Sequence, residues 1–317
     1  MSTNMVQFIP QHNIDREKWD ACIMRSGSPV IYARYEFLQC MAGQWDALVY
    51  GDYEMVMPLT WRKKYGISYL YQPAFTQQLG IFSSQEITGE WMSLFFIAAS
   101  KHFRFAEIYL NESNDAAPIE PVKLFAHGFK YNPRTNYVLS LKGAHETIQS
   151  HYREAVLRNI RKAKRAGLRV SNDTQIKPII DDYRIAQQKN MKHLSIDDYK
   201  KFSRVCDLFS SRGMVITRSV LNNQNERMAG AMLINDGKRL YNIITHITPQ
   251  GRDLGANHLL YDELLKEYAA TGSLFDFEGS EIPGVRQFYQ GFGAVNRPFY
   301  FLRYNELPWP IRKMKNG

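Results

Sequence analysis

Apolar and polar positions recur along this chain in an order that is used twice. In the second half, 213–221 (GMVITRSVL), 228–235 (MAGAMLIN) and 239–247 (RLYNIITHI) read as strands. They are short runs of apolar and β-branched residues between polar turns. Asp236-Gly237 joins the second and third as a two-residue hairpin turn. A helix is predicted over about 255–270, because Tyr261, Leu264, Leu265 and Tyr268 recur at i, i+3, i+4 and i+7. Gly272 ends it. A strand over 273–280, a short helix over 284–293 with a glycine stop, and a last strand over 297–305 follow.

The first half repeats this order. Strands are expected at 45–50, 53–61 and 67–73, with a Gly51-Asp52 turn between the first two. A helix over 85–103, a strand over 106–110, a short helix over 120–129 and a strand over 136–141 complete the unit. Two such units predict a duplicated α/β domain, divided as 1–143 and 144–317. The second unit alone opens with long helices, one over about 144–166 and another over parts of 176–211.

Composition changes this picture little. The 317 residues are 44% hydrophobic, enough for one large or two ordinary cores. Cys22, Cys40 and Cys206 have no CxxC spacing, so a reduced, cytoplasmic protein without a cysteine metal site is expected. The first residues lack a signal-peptide pattern. The longest nearly apolar stretch, 91–100, is too short for a transmembrane segment. The net charge of +9 favours anionic partners: a nucleotide-linked small molecule, tRNA or a peripheral membrane surface.

Candidate chemistry begins at 246–268, HITPQGRDLGANHLLYDELLKEY. Arg252, Gly255, Ala256 and Asn257 precede a helix whose first N–H groups lack intrahelical partners. Small residues would let an anion approach that backbone, and Arg252 would add a charge-assisted hydrogen bond. The alternative is an ordinary strand-to-helix turn. Hairpin, strand, R-x-x-G-x loop, helix, strand, aromatic helix and final strand is an order that resembles the GNAT acyltransferases, with Asn257 at the third small position. In that family the loop cradles the pyrophosphate of acyl-CoA. LRNIRKAKRAGLRV (157–170), LGANHLLYDELL (254–265), DFEGSEIPGVRQFYQGFGA (276–294) and, more weakly, YEFLQCMAGQW (35–45) resemble the tandem-GNAT Fem peptidyltransferases (the FemX/FemAB group). That resemblance implies two GNAT-like domains, each a mixed, mostly antiparallel sheet flanked by helices. It also implies transfer of an amino acid from aminoacyl-tRNA to a peptidoglycan precursor. Chains of this double-GNAT type also include ones assigned as acyl-CoA acyltransferases, so the resemblance fixes the fold better than the donor and both donors stay open.

The segment 151–167, HYREAVLRNIRKAKRAG, is strongly basic. Val156, Ile160 and Ala163 form an apolar stripe, Arg158, Lys162 and Arg165 share a neighbouring face, and Gly167 is placed as a C-cap. The basic face is either a solvated surface or a phosphate-reading one. The Fem resemblance places a diphosphate-contacting arginine at Arg158.

N-acyl transfer needs a deprotonated amine held against an activated carbonyl. In a GNAT-like arrangement the acyl group lies between the strand before the loop and the strand after the helix. Glu278 is the expected base, on one strand face with Asp276; capping the next helix or pairing with Arg286 is its bland alternative. His246 is a candidate relay or a structural histidine. Tyr289 is a candidate general acid or a core residue with Phe288 and Phe292. No metal is required. The first unit lacks the opening motif and is expected to have lost cofactor binding while lining an acceptor cleft, where WRKKYG (61–66) adds positive charge. The expected function is N-acyl or aminoacyl transfer. The rival is a non-catalytic binder of RNA or an anionic surface, on a GNAT fold.

Overall fold

The structure is a computed structural model that describes residues 5–115, 130–172, 175–187, 194–309 and 311–314. Internal contacts divide the chain into two units, 1–134 with 298–317, and 135–297. Each is a mixed, mostly antiparallel sheet flanked by helices, and the two sheets share one plan.

The first unit begins with β1 (Gln7–Ile9), α1 (Arg16–Arg25) and α2 (Tyr35–Met41). Then come β2 (Trp45–Tyr50), β3 (Met55–Lys64), β4 (Ile67–Tyr71) and the short β5 (Phe82–Ser83). Helix α3 (Gly89–Ser100), β6 (Phe105–Leu110) and β7 (Lys130–Arg134) follow. Asp15 and Thr88 accept from backbone N–H groups at the starts of α1 and α3, a cap that short polar side chains supply. Met92, Phe95, Phe96 and Ala99 turn one face of α3 onto Leu48, Met57, Leu59 and Ile108.

The second unit begins with β8 (Tyr137–Ser140), α4 (His145–Gln149), α5 (Glu154–Arg165), β9 (Arg169–Asn172), α6 (Ile176–Gln187) and α7 (Ile196–Ser210). Strands β10 (Val215–Leu221), β11 (Arg227–Asn235) and β12 (Arg239–Ile247) form a meander. Helices α8 (Pro249–Leu254) and α9 (Ala256–Glu267), strand β13 (Leu274–Asp276), helix α10 (Pro283–Gly291) and β14 (Val295–Asn296) complete it. The buried stripe of α5 meets that of α9 in one core with Leu233, Leu240, Phe275 and Phe292. Burying each such leucine or phenylalanine contributes about 1.5–3 kcal/mol before entropy is counted. The chain then returns to the first unit as β15 (Phe299–Asn305), between β6 and β7, and ends its described part in α11 (Ile311–Met314).

The sheet orders are β1-β2-β3-β4-β6-β15-β7 and, read from its other edge, β9-β10-β11-β12-β13-β8-β14. In each, the third strand of the meander pairs in parallel with the strand after the long helix: β4 with β6, β12 with β13. The duplication expected from the sequence is therefore visible, with one exchange. The strand expected to close the first unit, β8, pairs with β13 and β14 of the second sheet. The strand expected to close the second unit, β15, lies in the first sheet. A division at 143/144 misplaces both, because hydropathy marks a strand without saying which sheet edge it joins.

Other expectations need correction. The helix over 144–166 is two helices, broken at 150–153, where Tyr152 turns into the core against Phe292 and the Arg153 N–H donates to the Gly291 carbonyl (2.8 Å). The strand over 273–280 stops at Asp276. The short helix expected over 120–129 lies outside the described residues, as does 188–193 within the expected 176–211 helical region. Helices α1 and α2 were not foreseen.

Candidate functional site

The glycine-bearing segment differs from the loop expected of it. Residues 249–254 are a helical turn, capped by the Thr248 hydroxyl, which accepts from the Gly251 N–H (2.9 Å). Gly255 then adopts φ +79° as the joint between α8 and α9, a left-handed conformation that a side chain makes costly. Its N–H donates to the Arg252 carbonyl at 3.2 Å, so the amide of residue 255 is not bared. A Cβ on Gly255 would stand 2.7 Å from the Asn159 carbonyl oxygen of α5. A Cβ on Gly251 would stand 2.2 Å from the Met228 carbonyl oxygen of β11. Both glycines thus let main chain pack on main chain. The Cα face of Gly255 is covered by a carbonyl oxygen, whose polarity repels an anion. Ala256 is fully buried, Asn257 is half-buried with its Oδ1 unpartnered, and Arg252 is exposed.

The feature that does open the sheet is β12. Its parallel pairing with β13 covers three residue pairs and ends at Tyr241↔Asp276, while β12 itself runs on to Ile247. On its other side the register slips: Met232 faces Ile244 and Ile234 faces Tyr241, so β12 carries one residue more than β11 there. Such a bulge bends a strand and reverses its alternation. It brings Asn242 and Thr245 to one face, although simple alternation would put them on opposite faces. The Thr245 hydroxyl donates to Asn242 Oδ1 (2.8 Å), Asn242 Nδ2 donates to the Tyr261 hydroxyl (2.7 Å), and that hydroxyl lies 3.1 Å from Thr245 Oγ1. Burial pushes the Tyr261 phenol up to about 12, so it stays protonated across the physiological range.

Beyond the pairing, Asp276 anchors the chain. It is buried, bonded by Arg239 Nη1 (3.1 Å), and it accepts the Glu278 N–H at Oδ1 (3.0 Å). That last bond turns the backbone, and Glu278 has φ +61°. A non-glycine residue held there stores strain of a kind that clusters at functional sites. The expected alternation of Asp276 and Glu278 on one strand face does not occur, because the chain leaves the strand between them. Glu278 does not cap α10 either; Ile282 occupies that position. Tyr289 is half-buried on α10, with its ring 4.8 Å from Phe277 and 6.1 Å from Tyr137. Burial first, then Tyr261, Glu278, Asp276 and Tyr183 nearby, hold its phenol well above the ordinary tyrosine range.

Glu278 and Tyr289 therefore share one neighbourhood, with Asn242, Thr245 and Tyr261 beside it. His246 does not. It pairs with Gly230, and a Cβ on that glycine would point to His246 Nδ1, Arg227 and Ile179 of α6. Thr245, the preceding residue, faces Tyr261, so His246 lies on the opposite face of the sheet. Its Nδ1 is buried without a partner, beside the Arg227–Asp182 ion pair (2.6 Å). Burial lowers its pKa, keeping it neutral near pH 7. Sequence reading missed Asn242 and Thr245, which looked like ordinary strand residues, and took Tyr261 only as part of a helical stripe. It also missed His258, at the start of α9. His258 is T-shaped against Phe288 (4.9 Å), and burial lowers its pKa to about 4.

The basic helix α5 behaves as its pattern predicts. Val156, Ile160 and Ala163 are buried, and Gly167 ends the helix at φ +72° with the Leu168 N–H donating to the Ala163 carbonyl. Arg158, Lys162 and Arg165 are exposed, and no ion pair involves them among the described residues. Helix α5 packs against both α9 and α8, the helix that carries Arg252. Two cavities, of ≈ 340 and ≈ 380 Å³, lie against β9–β10 and β8–β14; neither is lined by Arg252, Glu278 or Tyr289. Among the described residues no cluster of His, Cys, Asp or Glu is arranged to hold a metal ion, and no helix is long and apolar enough to cross a membrane.

Comparison with known proteins fits this geometry. Residues 150–283 match the family model described as an acetyltransferase (GNAT) domain. No curated protein sequence matches. Among solved structures, that of FemX is similar over 98% of this chain and 100% of its own, with a TM-score of 0.68 and 14% identity. The structure of L-PGS from Bacillus licheniformis is similar over 95% of each chain, with a TM-score of 0.54 and 11% identity. A GCN5-related glucosamine N-acetyltransferase region of a fungal multi-domain protein is similar over 96% of this chain and 38% of that one, with a TM-score of 0.52 and 11% identity. At these identities the likeness is one of fold.

Proposed function

We propose that this chain, with a GNAT-type domain at 150–283 inside a FemX-like tandem fold, transfers an acyl or aminoacyl group to an amine. The observation that carries this reading is the parting of β12 from β13 at a bulge. Beyond it stand a strained, half-buried carboxylate and a protonated phenol. The acceptor nitrogen attacks the donor carbonyl carbon, and Glu278 takes the proton it sheds. The tetrahedral intermediate then collapses, and the departing sulfur or oxygen takes a proton from Tyr289. His246, across the sheet, has no part in these steps.

The donor is acyl-CoA or aminoacyl-tRNA. A diphosphate resting on the Gly255 amide would meet the Asn159 carbonyl instead, so donor phosphates are held by side chains: Arg252, with Lys162 and Arg165 of α5. This arrangement suits an aminoacyl ester on a nucleic acid better than a coenzyme A that needs a bare backbone seat. The acceptor follows the FemX likeness: an amine of a nucleotide-linked cell-envelope precursor, its diphosphate at Arg158.

The test incubates the purified protein with acetyl-CoA or with aminoacyl-tRNA, each with a set of amine acceptors that includes nucleotide-linked peptides. Mass spectrometry should find the acyl or aminoacyl increment on an acceptor, and Glu278→Gln should slow its formation about a hundredfold or more. Failure of both donors, together with RNA binding that weakens steeply with salt, would instead assign the fold to a non-catalytic binder.

A further inference from the structure

We infer that one end of the first unit's sheet is a docking surface for an anionic lipid bilayer, independently of the reaction proposed above. The strand register brings three chain segments to that end. Strands β3 and β4 close their hairpin at Lys64↔Ile67, and β4 runs parallel to β6 with Leu70 beside Ala106. Strand β15 finishes at Asn305↔Phe105. The β3–β4 turn, the 101–104 connection from α3 into β6, and the segment after β15 therefore leave the sheet together.

What these segments expose is cationic or amphipathic. Arg62, Lys63 and Lys64 are exposed on the hairpin, and Lys101 and Arg104 on the connection. Tyr65 is 92% exposed, Trp309 72% and Ile311 39%. Glu306 is the acid among these segments, and it is half-buried. The exposed acids Asp52, Glu54 and Glu90 lie toward the other end, at the β2–β3 turn and the start of α3. Tyrosine and tryptophan settle at the headgroup level of a bilayer, and lysine and arginine beside them are drawn to anionic lipid.

Tyr65 adds an independent observation. The hairpin turn has φ +50° at Tyr65 and +79° at Gly66, the two-residue type that favours Asn-Gly. A bulky side chain at the first position is strained. Its ring touches the Lys64 ammonium, 5.4 Å from the centroid, and is otherwise in water. A strained aromatic that folding does not use is well explained by a partner outside the chain. A polynucleotide would use the cations and stack on Tyr65, but it gains little from exposed Ile311; a bilayer interface uses all of them.

The test is co-sedimentation of the full chain with vesicles of phosphatidylcholine alone and of phosphatidylcholine with phosphatidylglycerol. The anionic vesicles should bind the protein, more weakly as salt rises, and the neutral ones much less. Each lysine near such a surface contributes about fivefold, so the double substitution K63E/K64E should weaken binding at least about 25-fold. Tyr65→Ser and Trp309→Ser should weaken it too, and because both residues are exposed the melting temperature should hold. Absence of binding to anionic vesicles, equal binding to neutral ones, or variants that bind like the parent would overturn the proposal. So would capture of a polynucleotide by these residues with no vesicle binding.

Discussion

Substitution of Gly255 by alanine separates two roles for that glycine, a phosphate seat and a packing joint. The left-handed backbone at φ +79° costs an alanine about 1–2 kcal/mol. The new methyl carbon would also stand 2.7 Å from the Asn159 carbonyl oxygen, 3.3 Å from its carbon and 3.4 Å from the Asn159 Cβ. Two of those three atoms are main chain within a helix docked by three buried side chains, so they cannot swing aside. Overpacking of this kind adds about 1–3 kcal/mol. The expected loss is therefore about 2–5 kcal/mol, summing the two costs. At roughly 2–4 °C per kcal/mol for a unit of this size, the ligand-free melting temperature should fall by at least about 4 °C. Calorimetry of the parent and Gly255→Ala, without any ligand, measures this. Were the space over Gly255 open to an anion, the packing cost would vanish, only the backbone cost of about 1–2 kcal/mol would remain, and ligand binding would be lost as well. An unchanged melting temperature would refute the packing account.

Other outcomes follow from the same geometry. Arg252→Ala should leave stability within about 0.5 kcal/mol, since the side chain is exposed. It should weaken donor binding by a charge-assisted hydrogen bond, about tenfold or more, read as KM. Glu278→Gly should abolish transfer while stabilising the free protein by about 1 kcal/mol, because glycine relieves the strain at φ +61°; denaturant titration measures the second effect. Asn242→Ala, by leaving the Tyr261 hydroxyl short of a buried partner, should cost about 1–3 kcal/mol in the same titration. His258 has a folded pKa of about 4, below the 6.5 of a free imidazole. The unfolded chain therefore binds its proton first, and stability is lost as pH falls from about 6.5 towards 4, by up to about 3 kcal/mol. In His258→Phe that part of the pH dependence should disappear.

Much of the fold was legible in the sequence because its elements are strongly patterned. The β12 strand was placed at its observed ends, the buried stripe of α5 was read residue by residue, and the duplicated order showed in hydropathy alone. Sheet partnership was not legible. Nothing local to 137–140 or 299–305 says that each strand crosses to the other unit's sheet, since that choice is made by strands more than a hundred residues away. The candidate site was legible in part. Glu278 and Tyr289 were singled out by position relative to the helix. The bulge that brings Asn242 to Thr245 depends on a register slip against β11, which one strand's sequence does not reveal. Gly255 shows the converse error: its spacing from Arg252 invites an anion, yet its neighbour is a carbonyl of a helix about a hundred residues earlier.

The central claim is that Glu278 and Tyr289 act on one reacting centre where β12 and β13 part. A double-mutant cycle on kcat/KM, with Glu278→Gln, Tyr289→Phe and both together, tests it most directly. Each single change should cost about a hundredfold or more, and the pair clearly less than the product of the two. Losses that simply multiply, or single variants that keep the parent's rate, would contradict it.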